Sequence, residues 1–425
     1  MSTSSFLQEK YGISEEVIEM VKNAEANLTE QFSKLDAIKE YNQYKIINAM
    51  QEERLSSTDF HWTTGYGYGD IGRDKVESIY SIIFNTEDSL VRPTIVSGTH
   101  AISLTLSALL KYGDELMEIT GSPYDTLHKV IGLEEDKRGT LIDNGVKYRE
   151  IDLKDGQIDT EAVIEAISDV TKVVAIQRST GYSDRRALTV GEIKDAVSKI
   201  KAAHPHVIIF ADNCYGEFTS FDEPTDVGVD IMAGSLIKNP GGGLAYTGGY
   251  VTGRRDLIDL VAKRSTAPVI EKECGLTFGQ TRTNLQGLFL APLIVNQAIK
   301  GALLIGEIYK GLGYKIVPDV LDERSDIILG IEFKSREKVV EFCKGIQEAC
   351  AVDSFVVPEP WEMPGYEDEV VMAAGGFIEG SSIELSADGP MREPFYAYYQ
   401  GGLTYEHCKL GAMITLRNFK EKGLL

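Results

Sequence analysis

The chain has 425 residues, 43% of them hydrophobic, enough to fill one large core or two moderate ones. Its 43 basic and 65 acidic residues give a formal charge of -22, which repels phosphate backbones and anionic lipid and argues against nucleic acid or membrane as a partner. No charged-then-apolar leader opens MSTSSFLQEK, no run of about 18 apolar residues occurs, and Cys214, Cys274, Cys343, Cys350 and Cys408 form no C-x-x-C pair. The expectation is a cytoplasmic protein with free thiols.

In chain order, residues 1–60 predict a helical arm of two helices. The second runs from about Leu35 to Leu55, with an apolar stripe at Leu35, Ile38, Ile46, Ile47 and Met50. From Arg92 onward, short apolar runs alternate with helical patterns: TIVSG then AISLTLSALL, ELMEITG, VKYREIDL, KVVAIQRS then EIKDAVSKIKAA, HVIIFADN, DIMAGSLIK and GGYVTG. That alternation predicts an α/β domain over residues 61–289, a mostly parallel sheet covered by helices on both faces. After Asn284 the long helical tract LQGLFLAPLIVNQAIKGALLIGEIYKGLG gives way to DIILGIEF and REKVVEFCKGIQEAC, predicting a smaller α+β domain over 290–425.

Ligands of open α/β sheets collect at the carboxyl ends of the strands, so the polar residues that follow each apolar run are the candidates. Gly98 and Thr99 follow TIVS and open a helix, where free N–H groups can take a phosphate. Asp212 follows VIIFA, and Ser235 and Lys238 follow DIMAG. Singly these read as a turn, a helix cap and a solvated amine. In this order they are what pyridoxal 5'-phosphate requires: phosphate donors, a carboxylate that keeps the pyridine nitrogen protonated, and an amine that bonds to the aldehyde. Partial desolvation is expected to help Lys238 lose its proton. Two other patterns carry less. Gly67 to Gly72 fits G-x-G-x-x-G but lacks the preceding apolar strand of a dinucleotide site, and His204-Pro205-His206 has no further metal ligand close in sequence.

The order and spacing of VSGTHAI, SPYDTLHK, FADNCYGEF and GSLIKNPGG resemble fold-type-I pyridoxal-phosphate enzymes of cysteine and methionine metabolism. GYGYGDIGRDKVE, QRSTGYSDRR and SADGPMREPFYAYYQGGLTYEH bring the chain closer to the methionine gamma-lyase-like or cystathionine beta-lyase-like proteins named for aluminium resistance, over about residues 40–425. The resemblance implies an aspartate aminotransferase-like large domain, with Lys238 as the Schiff-base lysine, Asp212 on the pyridine nitrogen, Gly98, Thr99 and Ser235 on the phosphate, and Tyr124 stacked on the ring as an acid-base group. It also implies Arg392 on the substrate carboxylate, Arg178 near the cofactor or in a structural ion pair, and a clamp of Tyr66 and Arg73 lent by a neighbouring subunit of a homodimer or homotetramer. Ile237 stands where the broader group has a second phosphate-binding hydroxyl. The implied reaction is beta- or gamma-elimination from a sulfur-containing amino acid, a small-molecule substrate, by a carbon-sulfur lyase. An aminotransferase and a non-catalytic carrier of the cofactor are the alternatives, and Tyr124 with the 358–366 segment PEPWEMPGY are candidates for the side-chain pocket.

Overall fold

The computed structural model describes residues 2–363 and 368–425. A seven-stranded sheet organises the large domain in the spatial order Asp88–Arg92, Gly249–Gly253, Ile231–Ser235, Ile208–Asp212, Thr171–Gln177, Glu115–Glu118, Lys147–Glu150. Only Gly249–Gly253 runs against its neighbours, pairing antiparallel with the strands on either side of it. Side chains on a strand alternate between faces. Val174, Ile176, Ile209, Ala211 and Met232 accordingly enter one apolar cluster, while Val173, Ala175, Ile208, Phe210, Ile231 and Ala233 enter another. Burial on both faces is why these strands read as unbroken apolar runs rather than as alternating ones.

The structure departs from expectation at two places in the first hundred residues. TIVS is not a strand: Asp88–Arg92 is, and residues 93–97 form the turn that carries the chain to the helix Gly98–Leu109. The N-terminal segment holds three α-helices rather than two, Thr3–Tyr11, Glu15–Asn27 and Thr29–Glu52, the first ended by Gly12 in the left-handed conformation at φ 65°. It does not reach away from its own chain. Ile13, Val17, Ile18, Val21 and Leu28 are fully buried in the same cluster as the C-terminal helices.

The helix Thr281–Gly311 ties the two domains together. Leu285, Leu288 and Ala291 belong to the core of the large sheet, whereas Val295 through Tyr309 belong to that of the small domain. By length and apolar content it could cross a membrane, yet 72% of its apolar window is buried inside the protein, as befits a core helix.

The small domain is a six-stranded antiparallel sheet in the order Lys315–Val317, Leu329–Glu332, Tyr396–Gln400, Ser386–Pro390, Glu369–Ala373, Trp361–Glu362. Its two faces differ. Ile331, Val371, Ala373, Ala387, Ala397 and Tyr399 pack into a core with the helices Arg336–Ala349 and Tyr405–Glu421. Alternate positions Asp388, Tyr398 and Gln400 present the other face to the carboxyl ends of the large sheet, and a cavity lies between. The fold is thus α/β with a mostly parallel sheet, joined to a separate antiparallel domain.

Candidate active site

Lys238 reaches the cavity because the chain turns sharply after Ile231–Ser235. Asn239–Gly241 makes one 3-10 turn and Gly242 follows at φ 50°. A Cβ on Gly241 would meet the carbonyl oxygen of Leu236 at 1.8 Å, and one on Gly242 that of Gly287 at 2.3 Å, so the glycines of NPGGG permit the close passage. The Nζ of Lys238 stands 3.9 Å from the ring centre of Tyr215, a cation-π contact. Tyr215 is held at φ 71°, its carbonyl accepting from Asn239 Nδ2 at 2.9 Å and its hydroxyl accepting from Ser382 Oγ of the small domain at 3.1 Å.

Asp212 ends its strand facing the same cavity, and its Oδ1 accepts from the backbone N–H of Cys214 at 3.0 Å. Burial pushes Lys238 toward the neutral amine, but Cys214, Tyr215 and Asp212 outweigh it and hold the ammonium above the usual lysine range. Burial likewise pushes the Cys214 thiol well up, so the lasting negative charge beside the lysine is that of Asp212. In the protein by itself, desolvation therefore does not free the Lys238 amine as the sequence suggested; its neighbours decide.

Gly98 fits the seam between the two strand ends: a Cβ there would lie 3.2 Å from both Cys214 Sγ and Ser235 Cβ. Ser97 caps the twelve-residue helix by accepting from His100 N–H at 3.1 Å, and the N–H groups of Gly98 and Thr99 find no acceptor among the described residues. Thr99 and Thr126 both line the cavity with their hydroxyls 3.3 Å apart. Thr126 thus places a second hydroxyl in the cavity, beside that of Thr99. Ser235 is buried directly beneath Gly98.

Tyr124 also lines the cavity. Its N–H donates to Gln177 Oε1 at 2.7 Å, and its ring centre lies 5.6 Å from that of Tyr182. Arg392 sits farther out, half-exposed in an adjoining cleft that Tyr124 shares, 3.3 Å from Asp368 Oδ2 and 3.4 Å from the carbonyl oxygen of Tyr182.

Two arginines need correction. Arg178 does not face the cavity: it is fully buried, donating to Ser325 Oγ, Asn213 Oδ1, the Gly216 carbonyl and Thr219 Oγ1, with Glu223 at 3.4 Å. It fixes the turn that follows Asp212, and the residue before it, Gln177, is the one in the site. Arg73 is also buried, its guanidinium spent on the carbonyls of Gly67, Glu273 and Gly275 and on Asp74. Its Nε and Nη1 are turned inward to its own chain. Tyr66 is 72% exposed, its ring against Tyr68 and away from the cavity of its own chain.

The small domain contributes Asp388, Tyr398 and Gln400, none of which follows an apolar run. Their signal was polar residues at period two in SADGP and YAYYQ, a pattern that becomes informative only once one face is known to meet the large domain. Of the expected side-chain pocket, Trp361–Glu362 is an exposed edge strand and residues 364–366 lie outside the described residues.

A family model described as methionine gamma-lyase matches residues 17–420. The chain belongs to the methionine gamma-lyase family. It is 46% identical to the uncharacterized protein YnbB of Bacillus subtilis over 403 residues, 94% of this chain and 96% of that one. A crystal structure from Clostridium novyi NT, a carbon-sulfur lyase involved in aluminum resistance, is 48% identical with a TM-score of 0.94, covering 98% of this chain and 99% of that one. The fold alone is shared with the pyridoxal-5'-phosphate dependent protein YhfS of Escherichia coli, at 17% identity and a TM-score of 0.61 over 91% and 97% of the two chains. For a member of this family of carbon-sulfur lyases, the donor set fits pyridoxal phosphate: unengaged N–H groups at a helix start, two hydroxyls, a buried carboxylate and a buried amine surround one cavity.

Proposed function

We propose that the protein is a pyridoxal-phosphate-dependent lyase that removes a thiol from a sulfur amino acid by beta-elimination, in a reducing cytoplasm that keeps its five cysteines free. The observation that carries this reading is the convergence of Lys238, Asp212 and Tyr124 on a single cavity. Gly98, Thr99 and Thr126 would hold the phosphate, and Asp212 the pyridine nitrogen. When bound, the cofactor supplies the electron sink that makes a substrate α proton removable.

The side chains divide the remaining work. Arg392, with a planar fork turned toward the outer cleft, would bind the substrate carboxylate. Lys238 Nζ would take the proton from the α carbon. A cation on Asp212 would cancel the charge that now holds the lysine protonated, bringing its affinity for a proton closer to what a base needs. Tyr124, beside the cavity mouth, would give a proton to the leaving sulfur. Gamma-elimination needs a further proton removed at the β carbon, and the residues gathered here provide one amine base, which favours the beta route.

The test is to supply cystathionine, cysteine and methionine separately. Pyruvate with ammonia from the first two is expected. 2-Oxobutyrate with ammonia from methionine indicates gamma-elimination, and conversion that requires an added keto acid, without ammonia, indicates an aminotransferase; cofactor bound without any turnover indicates a carrier.

We also propose a homodimer, alone or paired into a tetramer, in which Tyr66 is lent to the partner's site, because its ring is exposed on a loop that Arg73 holds rigid. Chains carrying Lys238→Ala mixed with chains carrying Tyr66→Ala, after subunit exchange, are expected to recover activity that neither has alone. Mixtures that stay inactive would show each site to be complete within its own chain.

A further inference from the structure

Tyr215 stands in the cavity without a part in the chemistry above, although its ring is what the Lys238 amine touches. The Nζ lies 3.9 Å from the ring centre, within the range at which the negative face of an aromatic ring attracts a cation. Two constraints put the ring there. The backbone of Tyr215 is held at φ 71°, which is costly for a bulky residue and persists only where the surroundings impose it. Arg178 imposes it by bonding to Asn213 Oδ1 and to the Gly216 carbonyl at 2.8 and 2.9 Å, and Asn239, the residue after Lys238, donates to the Tyr215 carbonyl at 2.9 Å. The far end of the ring is fixed by Ser382, whose Oγ donates to the Tyr215 hydroxyl at 3.1 Å.

The other groups around the amine indicate what such a ring is for. Asp212 and Cys214 reach it from the strand end and the turn, Glu217 senses it from farther along that turn, and Tyr124, Tyr182, Tyr398 and Asp388 line the rest of the cavity. Few of them offer a lasting negative charge at neutral pH. Burial pushes the Cys214 thiol well up, Glu217 up to about 8 and Asp388 up to about 7. Asp212 is the exception, and its charge is answered by the pyridine nitrogen once the cofactor is bound. When Lys238 then takes the α proton, the electron pair of the C–H bond passes to the cofactor and a full positive charge appears on Nζ in a buried place. Tyr215 is the neighbour whose attraction for that charge is not spent elsewhere.

We infer that Tyr215 is a further catalytic residue, whose ring face stabilises the ammonium that Lys238 becomes when it removes the substrate α proton. This rests on the reading of Lys238 as the base. It assigns the effect to the face of the ring, while the hydroxyl, held by Ser382, sets the ring's angle. A ring needs no ionisation of its own, so it keeps burial from driving the proton affinity of the lysine too far down after Asp212 has been neutralised.

The contact is read in the full-length protein by nuclear magnetic resonance of isotope-labelled lysine side chains. The Lys238 signal, identified by its loss in Lys238→Ala, is expected well upfield of the other lysines, because protons over a ring face are shielded. It is expected to stay there in Tyr215→Phe and to return among the others in Tyr215→Leu. The same signal is then titrated against pH in the cofactor-loaded protein saturated with norleucine, which releases Lys238 and has no sulfur to eliminate. A cation over a buried ring gains about tenfold in proton affinity. The midpoint is therefore expected about one pH unit lower in Tyr215→Leu than in the wild type, since the unsupported ammonium gives up its proton more readily, and nearly unchanged in Tyr215→Phe. A wild-type Lys238 signal lying among the other lysines overturns the inference, even if Tyr215→Leu folds poorly. So does a midpoint that Tyr215→Leu leaves in place, or one that falls equally in Tyr215→Phe, which would assign the effect to the hydroxyl. Failure of the base reading shows separately: exchange of the norleucine α hydrogen in deuterated water would then persist in Lys238→Ala, and the inference would fall with it.

Discussion

Lys238→Ala is expected to lower turnover of every amino acid tested by about 10⁴-fold or more, since it removes both the amine that engages the cofactor and the base for the α proton. The fold should tolerate the change. Lys238 is fixed by Tyr215 and Asp212 rather than by a buried ion pair with defined hydrogen bonds, and the turn around it is held independently by Asn239, which donates to the carbonyls of Tyr215 and Glu217 at 2.9 and 3.0 Å. Borohydride treatment followed by digestion is expected to leave the cofactor on the wild-type peptide containing GSLIKNPGG and on no peptide of the variant. Turnover within about tenfold of wild type, or labelling of another lysine, would remove Lys238 from the centre of the site.

How far the sequence could see depends on which contacts make each part of the site. The positions of Asp212 and Lys238 at the cavity were legible because local order fixes them: each closes or follows an apolar run, and a parallel strand delivers its last residue to the edge where ligands gather; Ser235 ends its strand as expected but is buried beneath Gly98 and does not line the cavity. The same rule put Gly98 at the start of its helix but took TIVS for the strand before it, since the true strand DSLVR is partly polar where Ser89 bonds to Ser81 and Thr252. The resemblance offered Arg178 near the cofactor or in a structural ion pair, and the structure gives the ion pair, with Gln177 in the cavity instead. Alternation decides between neighbours, and the side chain that points away from the cavity is the one that found Asn213, Thr219 and Glu223 behind the sheet. Arg73 was beyond reach for a different reason: its partners at Glu273 and Gly275 lie two hundred residues along the chain. Asp388 is legible only after the small domain has docked, because nothing local says which face of SADGP meets the large sheet.

Asp212→Asn separates charge from shape at the same centre. The amide oxygen can still accept from Cys214 N–H, now 3.0 Å from Oδ1, so the turn that Arg178 braces should keep its geometry and the melting temperature should move little. What disappears is a negative charge, with two opposed consequences. Lys238 is held above its usual range partly by Asp212, so its ammonium should give up its proton more readily in the variant, which taken alone would help a base. The pyridine nitrogen, however, would lose the carboxylate that keeps it protonated, and with it most of the electron-withdrawing power of the ring. Preorganised electrostatic partners of this kind are worth roughly 10²–10³ in turnover, more than the gain from an easier deprotonation, so a net loss of about that size is expected. A second signature lies at Glu118, whose carboxyl is pushed up to about 8 by burial, then by Asp212 and Glu150; removing one of those charges should lower it. Turnover measured against pH, with keto-acid release as the signal, should show a reduced plateau. A variant with a near-normal plateau would mean that the ring nitrogen is not held by Asp212, and one that melts much lower would mean that the carboxylate serves the turn rather than the chemistry.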